Sequence, residues 1–294
     1  MHALFRHCLS GILALCSLGV EPALRATAAE SLAEYQLQPL FTRYARTSSS
    51  ITLNSTVQWF DDLPLQEAKN VDGFSVDLDL TVPLSDRFQL RLFYPAYTEG
   101  DGELIASKNG GNGGKIDIQG DGGVFDYAGA TLEYEFLKPE TPEDWSLAVY
   151  LGYSIVLGAL DVEGPNFRNR YNHQGKAIPI GFKADRALTD HLTFLAHVGG
   201  RYHYESDDLH PEGNDVFFLA DASAALVYNP FNEWVYPVLE LVYRGDLQSY
   251  NSLQIVPEVI VPINSNFEVK GGFGFGLADD GENWQARVQA TLRF

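Results

Sequence analysis

Cysteine is almost missing from this chain: two residues, Cys8 and Cys16, both close to the N-terminus. A disulfide scaffold is excluded, and so is a metal or nucleophile site built on several thiols. Positive charge is scarce as well. Lys and Arg number 20 against 39 Asp and Glu, a net charge of −19. A phosphate backbone would be repelled, so nucleic acid is not a partner. Past the N-terminal region no run of 18 apolar residues occurs, which excludes a membrane-spanning helix. Only one Met is present. What is abundant is glycine, 27 residues, and aromatics at 13% of the chain. That composition suits an all-β protein with many turns.

The N-terminus reads as a secretory signal peptide over residues 1–29. Arg6 and His7 give a weakly basic start, Leu9 to Val20 a short apolar run, and Ala26-Thr27-Ala28 with Ala29 the small residues of a cleavage site. Leu13-Ala14-Leu15-Cys16 is a poor lipoprotein box, because Leu15 is bulky beside the cysteine. Cleavage after Ala29 removes both cysteines. Residues 30–48, with Pro39, Arg43 and Arg46, precede the first strand signal. They lie either in the periplasm or inside a barrel as a plug.

From there to the end the sequence alternates apolar and polar residues. Phe74, Val76, Leu78, Leu80 and Val82 interleave with Ser75, Asp77, Asp79 and Thr81; Ile178, Ile180 and Phe182 interleave with Lys183; Trp284, Ala286, Val288, Ala290 and Leu292 interleave with Gln285, Arg287, Gln289 and Thr291. Successive strand side chains point to opposite faces, so each segment has one apolar and one polar face. A soluble sandwich would show the same alternation. Several segments here run about ten residues or more, the length that crosses a bilayer when tilted. Their apolar faces carry aromatics near the ends, among them Trp59, Tyr94, Phe136, Trp145, Tyr228, Trp234 and Phe294, as expected of interfacial girdles.

The connections argue independently. Twelve strands are predicted near 50–60, 73–82, 87–95, 123–136, 145–157, 175–186, 191–204, 215–228, 234–244, 249–261, 267–277 and 284–294. Every connection after an even-numbered strand is compact, beginning with Pro83-Leu84-Ser85-Asp86. Connections after odd-numbered strands include the long ones, 61–72, 96–122, 158–174 and 205–214. Outer-membrane barrels have short periplasmic turns and longer outer loops. The fold class expected is therefore all-β: a transmembrane antiparallel β-barrel of about twelve strands over 49–294, in the outer membrane of a Gram-negative cell. Its partners would be the lipid bilayer, the barrel-assembly machinery and an unknown small-molecule solute.

The last quarter of the chain carries Asn229-Pro230-Phe231-Asn232-Glu233-Trp234-Val235-Tyr236-Pro237, Glu240-Leu241, Ile255-Val256-Pro257-Glu258, Glu268-Val269-Lys270-Gly271-Gly272, Gly276-Leu277 and a closing Leu292-Arg293-Phe294. In these residues it resembles a loosely defined family of outer-membrane transporters associated with meta-cleavage pathways of phenol degradation and grouped near the fatty-acid channels. The resemblance implies a channel or transport role in the envelope, without implying phenol as the solute. No clear version of the fatty-acid channels' N-terminal plug is legible.

Chemistry has to be sought on the inward faces. The alternation directs Asp77, Asp79, Arg91, Glu133, Glu135, Lys183, His197, Arg201, Asp221, Glu240, Glu258, Lys270 and Arg287 into the lumen as pore-lining candidates, with Glu268 and Arg293 beside them. Charges on the lipid face would cost about 2–4 kcal/mol each near the midplane for Arg or Lys. Their mixed signs argue against a simple anion or cation filter. They serve either as a selectivity lining or as a solvated structural network.

The Gly- and Asp-rich stretch 96–122 has Lys115 where a calcium β-roll needs Asp, and Gln119 and Ala128 at EF-hand ligand positions. It reads as a surface loop or one folding into the pore. Asn172-His173-Gln174-Gly175 offers an Asn-His pair like that of the outer-membrane phospholipase, but Gly175 stands where the nucleophile would be. His197 and His203, six residues apart, are about 20 Å apart along a strand and cannot share a metal. Neither an enzyme nor a cofactor is expected. The functional expectation is a passive or substrate-biased outer-membrane channel, the rival a closed barrel with a structural or surface-interaction role, and a lipid-active hydrolase a distant third.

Overall fold

The computed structural model describes residues 37–63, 68–104, 115–121, 127–156, 159–164, 167–172, 175–204, 216–229, 234–246, 251–278 and 283–294. Its strands, in chain order, are β1 (Thr52–Leu63), β2 (Ala68–Pro83), β3 (Phe88–Leu104), β4 (Lys115–Asp121), β5 (Tyr127–Leu137), β6 (Ser146–Val156), β7 (Ala159–Gly164), β8 (Phe167–Asn172), β9 (Lys176–Thr189), β10 (Leu192–Tyr204), β11 (Phe217–Tyr228), β12 (Tyr236–Gly245), β13 (Asn251–Asn264), β14 (Phe267–Gly276) and β15 (Trp284–Arg293).

Twelve of them close into an antiparallel barrel in the order β2-β1-β15-β14-β13-β12-β11-β10-β9-β6-β5-β3, with β3 returning to β2. Each barrel strand pairs with the one before and after it, and β1 closes on β15 from Thr52 opposite Arg293 to Asp61 opposite Trp284. Closure leaves no unpaired edge, the condition for backbone polar groups to survive in lipid. Both ends of the described chain's barrel, Thr52 and Arg293, meet at the short-turn rim, where the Phe294 amide donates to the Ile51 carbonyl. Pairs there reverse within a few residues, as at 190–191 between β9 and β10 and 265–266 between β13 and β14.

The apolar faces point outward. Leu78, Leu92, Leu132, Leu151, Ile180, Phe182, Val198, Leu239, Leu241, Val259 and Val288 are all exposed. In water this continuous belt would be far larger than the few hundred Å² a soluble monomer tolerates. Facing hydrocarbon, it costs nothing. Buried positions are instead rich in polar groups such as Thr56, Asp79, Gln89, Glu133, Lys183 and Gln289, which line the interior.

The long stretch 96–122 is not the plain loop the sequence suggested. β3 continues to Leu104 and β4 pairs back onto it from Tyr97 opposite Asp121 to Glu103 opposite Lys115. Within 158–174, β7 and β8 form a second hairpin, Ala159 opposite Asn172. Both hairpins stand at the long-connection end.

Candidate functional site

Residues 37–48 have no regular secondary structure and run inside the barrel, across its short-turn end. Seven of their backbone amides donate to side chains of the wall. Leu40 N reaches Glu258 Oε2 at 3.0 Å; Phe41 N and Thr42 N reach the two oxygens of Glu240 at 3.1 and 2.7 Å. Ala45 N and Arg46 N converge on Asp185 Oδ1 at 2.8 and 3.3 Å, Thr47 N donates to Glu135 Oε2 at 3.0 Å, and Ser48 N to Gln89 Oε1 at 2.7 Å. Arg46 Nε adds an ion pair to Asp185 at 2.7 Å, and Lys270 Nζ donates to the Gln38 carbonyl. The Arg46–Asp185 bond is charge-assisted, and such bonds are about twice as strong as neutral ones.

All these wall groups sit near strand ends on the same rim: Glu135 close to the end of β5, Asp185 toward the end of β9, Glu240 near the start of β12 and Lys270 near the start of β14. Glu240, Glu268, Lys270 and Asp185 are 0–1% exposed. Glu268 is held between Lys270 at 3.4 Å and Arg293 at 2.7 Å. One arc of this floor is apolar. Leu37 and Tyr44 pack against Leu195, Ala225, Val227, Tyr236, Val238 and Ile260. Burial holds the Tyr44 phenol above its ordinary pKa, with Asp185 adding to the effect, so it stays neutral there. Gly272 leaves room for the segment: a Cβ at that position would lie 2.8 Å from Leu40 Cδ1.

Above the segment, toward the long-connection end, lies a cavity of ≈ 290 Å³. Leu40, Phe41 and Arg43 form part of its base. Of the thirteen lumen candidates, Asp77, Asp79, Arg91, Glu133, Lys183, His197, Arg201, Asp221 and Arg287 line it. Glu135, Glu240, Glu258 and Lys270 do not; they belong to the floor. The alternation told inward from outward but carried no information about level.

The cavity wall is organised in small networks. Arg43 grips Asp79 through both carboxylate oxygens, at 3.1 and 3.0 Å, and Arg91 pairs with the same carboxylate. Lys183 meets Glu133 at 2.7 Å, and Gln89 donates to that carboxylate too. Tyr150 and His197 share a hydrogen bond of 2.7 Å, and His197 lies 3.4 Å from Asp221. The Tyr150 ring rests over Gly181 and Gly199 of the neighbouring strands; a Cβ at Gly181 would come within 2.5 Å of its hydroxyl. Higher up, Tyr127 bonds His203 Nδ1 at 2.6 Å, and His203 stacks on Phe217 at 4.2 Å between centroids. The two histidines thus serve separate tyrosines. Arg287 lies over the Phe41 ring at 3.8 Å, a cation–π contact tying the wall to the inserted segment.

The wall also holds Arg43, Arg244, Tyr127 and Tyr150, none of which the sequence reading placed among the candidates. Arg244 shares its parity with Glu240 on the predicted strand 234–244, so the alternation could have found it. Arg43 could not be found that way, since its segment has no period. Among the described residues no three His, Cys, Asp or Glu are grouped to hold a metal ion. His173 lies outside the described residues.

No protein-family model matches the sequence, and no curated protein matches it either. The structure is similar to solved outer-membrane barrels. The translocator domain of the autotransporter NalP from Neisseria meningitidis aligns with a TM-score of 0.58 at 10% identity, over 84% of this chain and 90% of that one. An outer-membrane channel from Pseudomonas putida F1 aligns at 0.55 and 14% identity, over 87% and 99%. The transport unit of the autotransporter AIDA-I from Escherichia coli gives 0.55 at 13% identity, over 90% and 94%. At such identities the likeness is one of fold: a twelve-stranded outer-membrane barrel.

Proposed function

We propose that this chain is an outer-membrane channel for small solutes whose lumen is closed at the short-turn end by its own segment 37–48. The observation that carries the reading is the cavity of ≈ 290 Å³ with charged walls, whose base includes Leu40, Phe41 and Arg43 of an inserted peptide held by side chains of the wall. A barrel that needed only a filled interior could use the wall itself. Here the floor is a separate piece, held by amide-to-carboxylate bonds that can be broken one by one.

The fold neighbours are compatible with passage through such a lumen. The resemblance of residues from about 215 onward to outer-membrane transporters points the same way, and several of its acidic positions, Glu240, Glu258 and Glu268, are floor groups. Export by a cleaved signal peptide and insertion by the barrel-assembly machinery accompany this reading. An enzymatic role is not part of it, because no nucleophile accompanies the Asn172-His173 pair.

The rival is a closed structural barrel, favoured by the number of bonds that hold segment 37–48. Planar-bilayer recordings of the full chain beside Glu240→Ala separate the two. A channel gives brief steps in the wild type and more frequent ones in the variant. Well-folded protein that gives no steps in either supports the closed barrel and ends the channel reading.

A further inference from the structure

The signs of charge in the lumen are not evenly mixed. The chain as a whole has 20 Lys and Arg against 39 Asp and Glu. The cavity reverses that ratio: Arg43, Arg91, Lys183, Arg201, Arg244 and Arg287 line it, against only Asp77, Asp79, Glu133 and Asp221. Six of the scarce cations have been gathered around one chamber of a strongly acidic protein. Low-dielectric walls focus such a field and raise the local concentration of counter-ions.

The acids are held to different degrees. Asp79 is shared by Arg43 and Arg91, Glu133 is taken by Lys183, and Asp77 accepts from Ser75 Oγ at 3.4 Å, while Asp221 stands 3.4 Å from His197. Arg201 is differently placed. Among the described residues no carboxylate lies within ion-pair distance of it, and its guanidinium sits 5.8 Å from the centroid of the Tyr127 ring. That ring is itself fixed by the bond to His203. Arg201 is therefore a positioned fork of donors on the wall of a polar cavity with no acceptor for it among the described residues, and a planar guanidinium matches a carboxylate or phosphate through two parallel bonds.

We infer that the chamber binds small, multiply charged oxyanions, bearing carboxylate or phosphate groups, with Arg201 as a direct contact. The inference rests on the channel reading for its biological sense, and it names the solute class that reading leaves open. The cavity lies near the lower limit of ordinary ligand sites, about 300 Å³, so the solute is a small molecule rather than a polymer.

The test is calorimetric titration of the full chain in detergent micelles with citrate and, separately, with inorganic phosphate; glucose and spermidine are the uncharged and cationic controls. Citrate or phosphate binds, more weakly as salt is raised, and the controls do not. Binding by citrate alone assigns the site to carboxylates, and by phosphate alone to phosphates. Arg201→Gln weakens the bound anion roughly tenfold or more, the scale of one lost charge-assisted hydrogen bond, and Arg201→Lys recovers part of it. A heat-modifiable gel shift, seen equally in the variants, shows that they are folded. The inference is overturned by folded protein that ignores both anions, by Arg201→Gln binding as tightly as wild type, or by spermidine binding in their place. A barrel that binds citrate but never conducts loses the channel reading and keeps this one. A barrel that conducts but binds neither anion does the reverse.

Discussion

At the floor of the barrel, Glu135, Asp185, Glu240 and Glu258 accept the amides of residues 40–42 and 45–47; in the chamber just above, six cationic side chains outnumber four acids. The two regions share one wall and one alternation pattern, yet their chemistry is opposite. A carboxylate ring on a floor recognises N–H groups, which every peptide offers whatever its sequence. A guanidinium-rich chamber repels such donors and attracts acceptors. The floor suits a segment of the same chain that stays, and the chamber suits a solute that comes and goes. Buried, unpaired acids on the floor would be costly, so the segment and its carboxylates stabilise one another.

The largest effects should come from the floor. Glu240→Ala leaves the Phe41 and Thr42 amides without their acceptor, at about 1–3 kcal/mol for each group that water does not reach. The expected outcome is a rise of roughly tenfold or more in open probability in bilayer recordings, with the barrel still heat-modifiable. Gly272→Val should act in the same direction, because a Cβ there would lie 2.8 Å from both Leu40 Cδ1 of the segment and Glu258 Cβ of the wall; a severalfold rise in open probability would show it. In the chamber, Lys183→Met removes one cation without touching the floor. Its signature is a reversal potential shifted toward cation preference in a salt gradient, with open probability unchanged. If Lys183→Met instead opens the pore, the floor and chamber are not separate devices. The smallest effect belongs to neither region. Lys138 pairs with Asp86 at 3.8 Å on the exposed rim, and Lys138→Ala should alter unfolding stability by under about 1 kcal/mol and leave conduction as it was.

The barrel was legible because lipid enforces the period of two on both faces. In β9, Ile180 and Phe182 are exposed while Lys183 and Asp185 are buried, as their alternation requires. In β11 and β12 the signal fades: Val227 beside Leu226, and Val238 beside Leu239, are apolar on both faces. The inner pair packs on Leu37 and Tyr44, a neighbour that strand periodicity cannot anticipate. Segment 37–48 is itself unmarked for a related reason. Its backbone makes most of its bonds to the wall, and backbone amides leave no trace in residue identity. The division of the thirteen candidates into floor and chamber depends on height along the barrel, set by shear and register, which alternation does not record. In the stretch 96–122, the short alternation Ile116, Asp117, Ile118, Gln119 is flanked by glycines on both sides, and those flanks concealed the hairpin.

The most direct test of the account is the single-channel conductance of the chain lacking residues 37–46, recorded beside the wild type in the same bilayer. The account predicts that the brief, small steps of the full chain become a persistent open pore when the segment is removed, while the folded barrel keeps its heat-modifiable migration. A deleted variant that folds into the barrel and yet conducts no more than the wild type would contradict it, since the lumen would then be closed by the wall and not by segment 37–48.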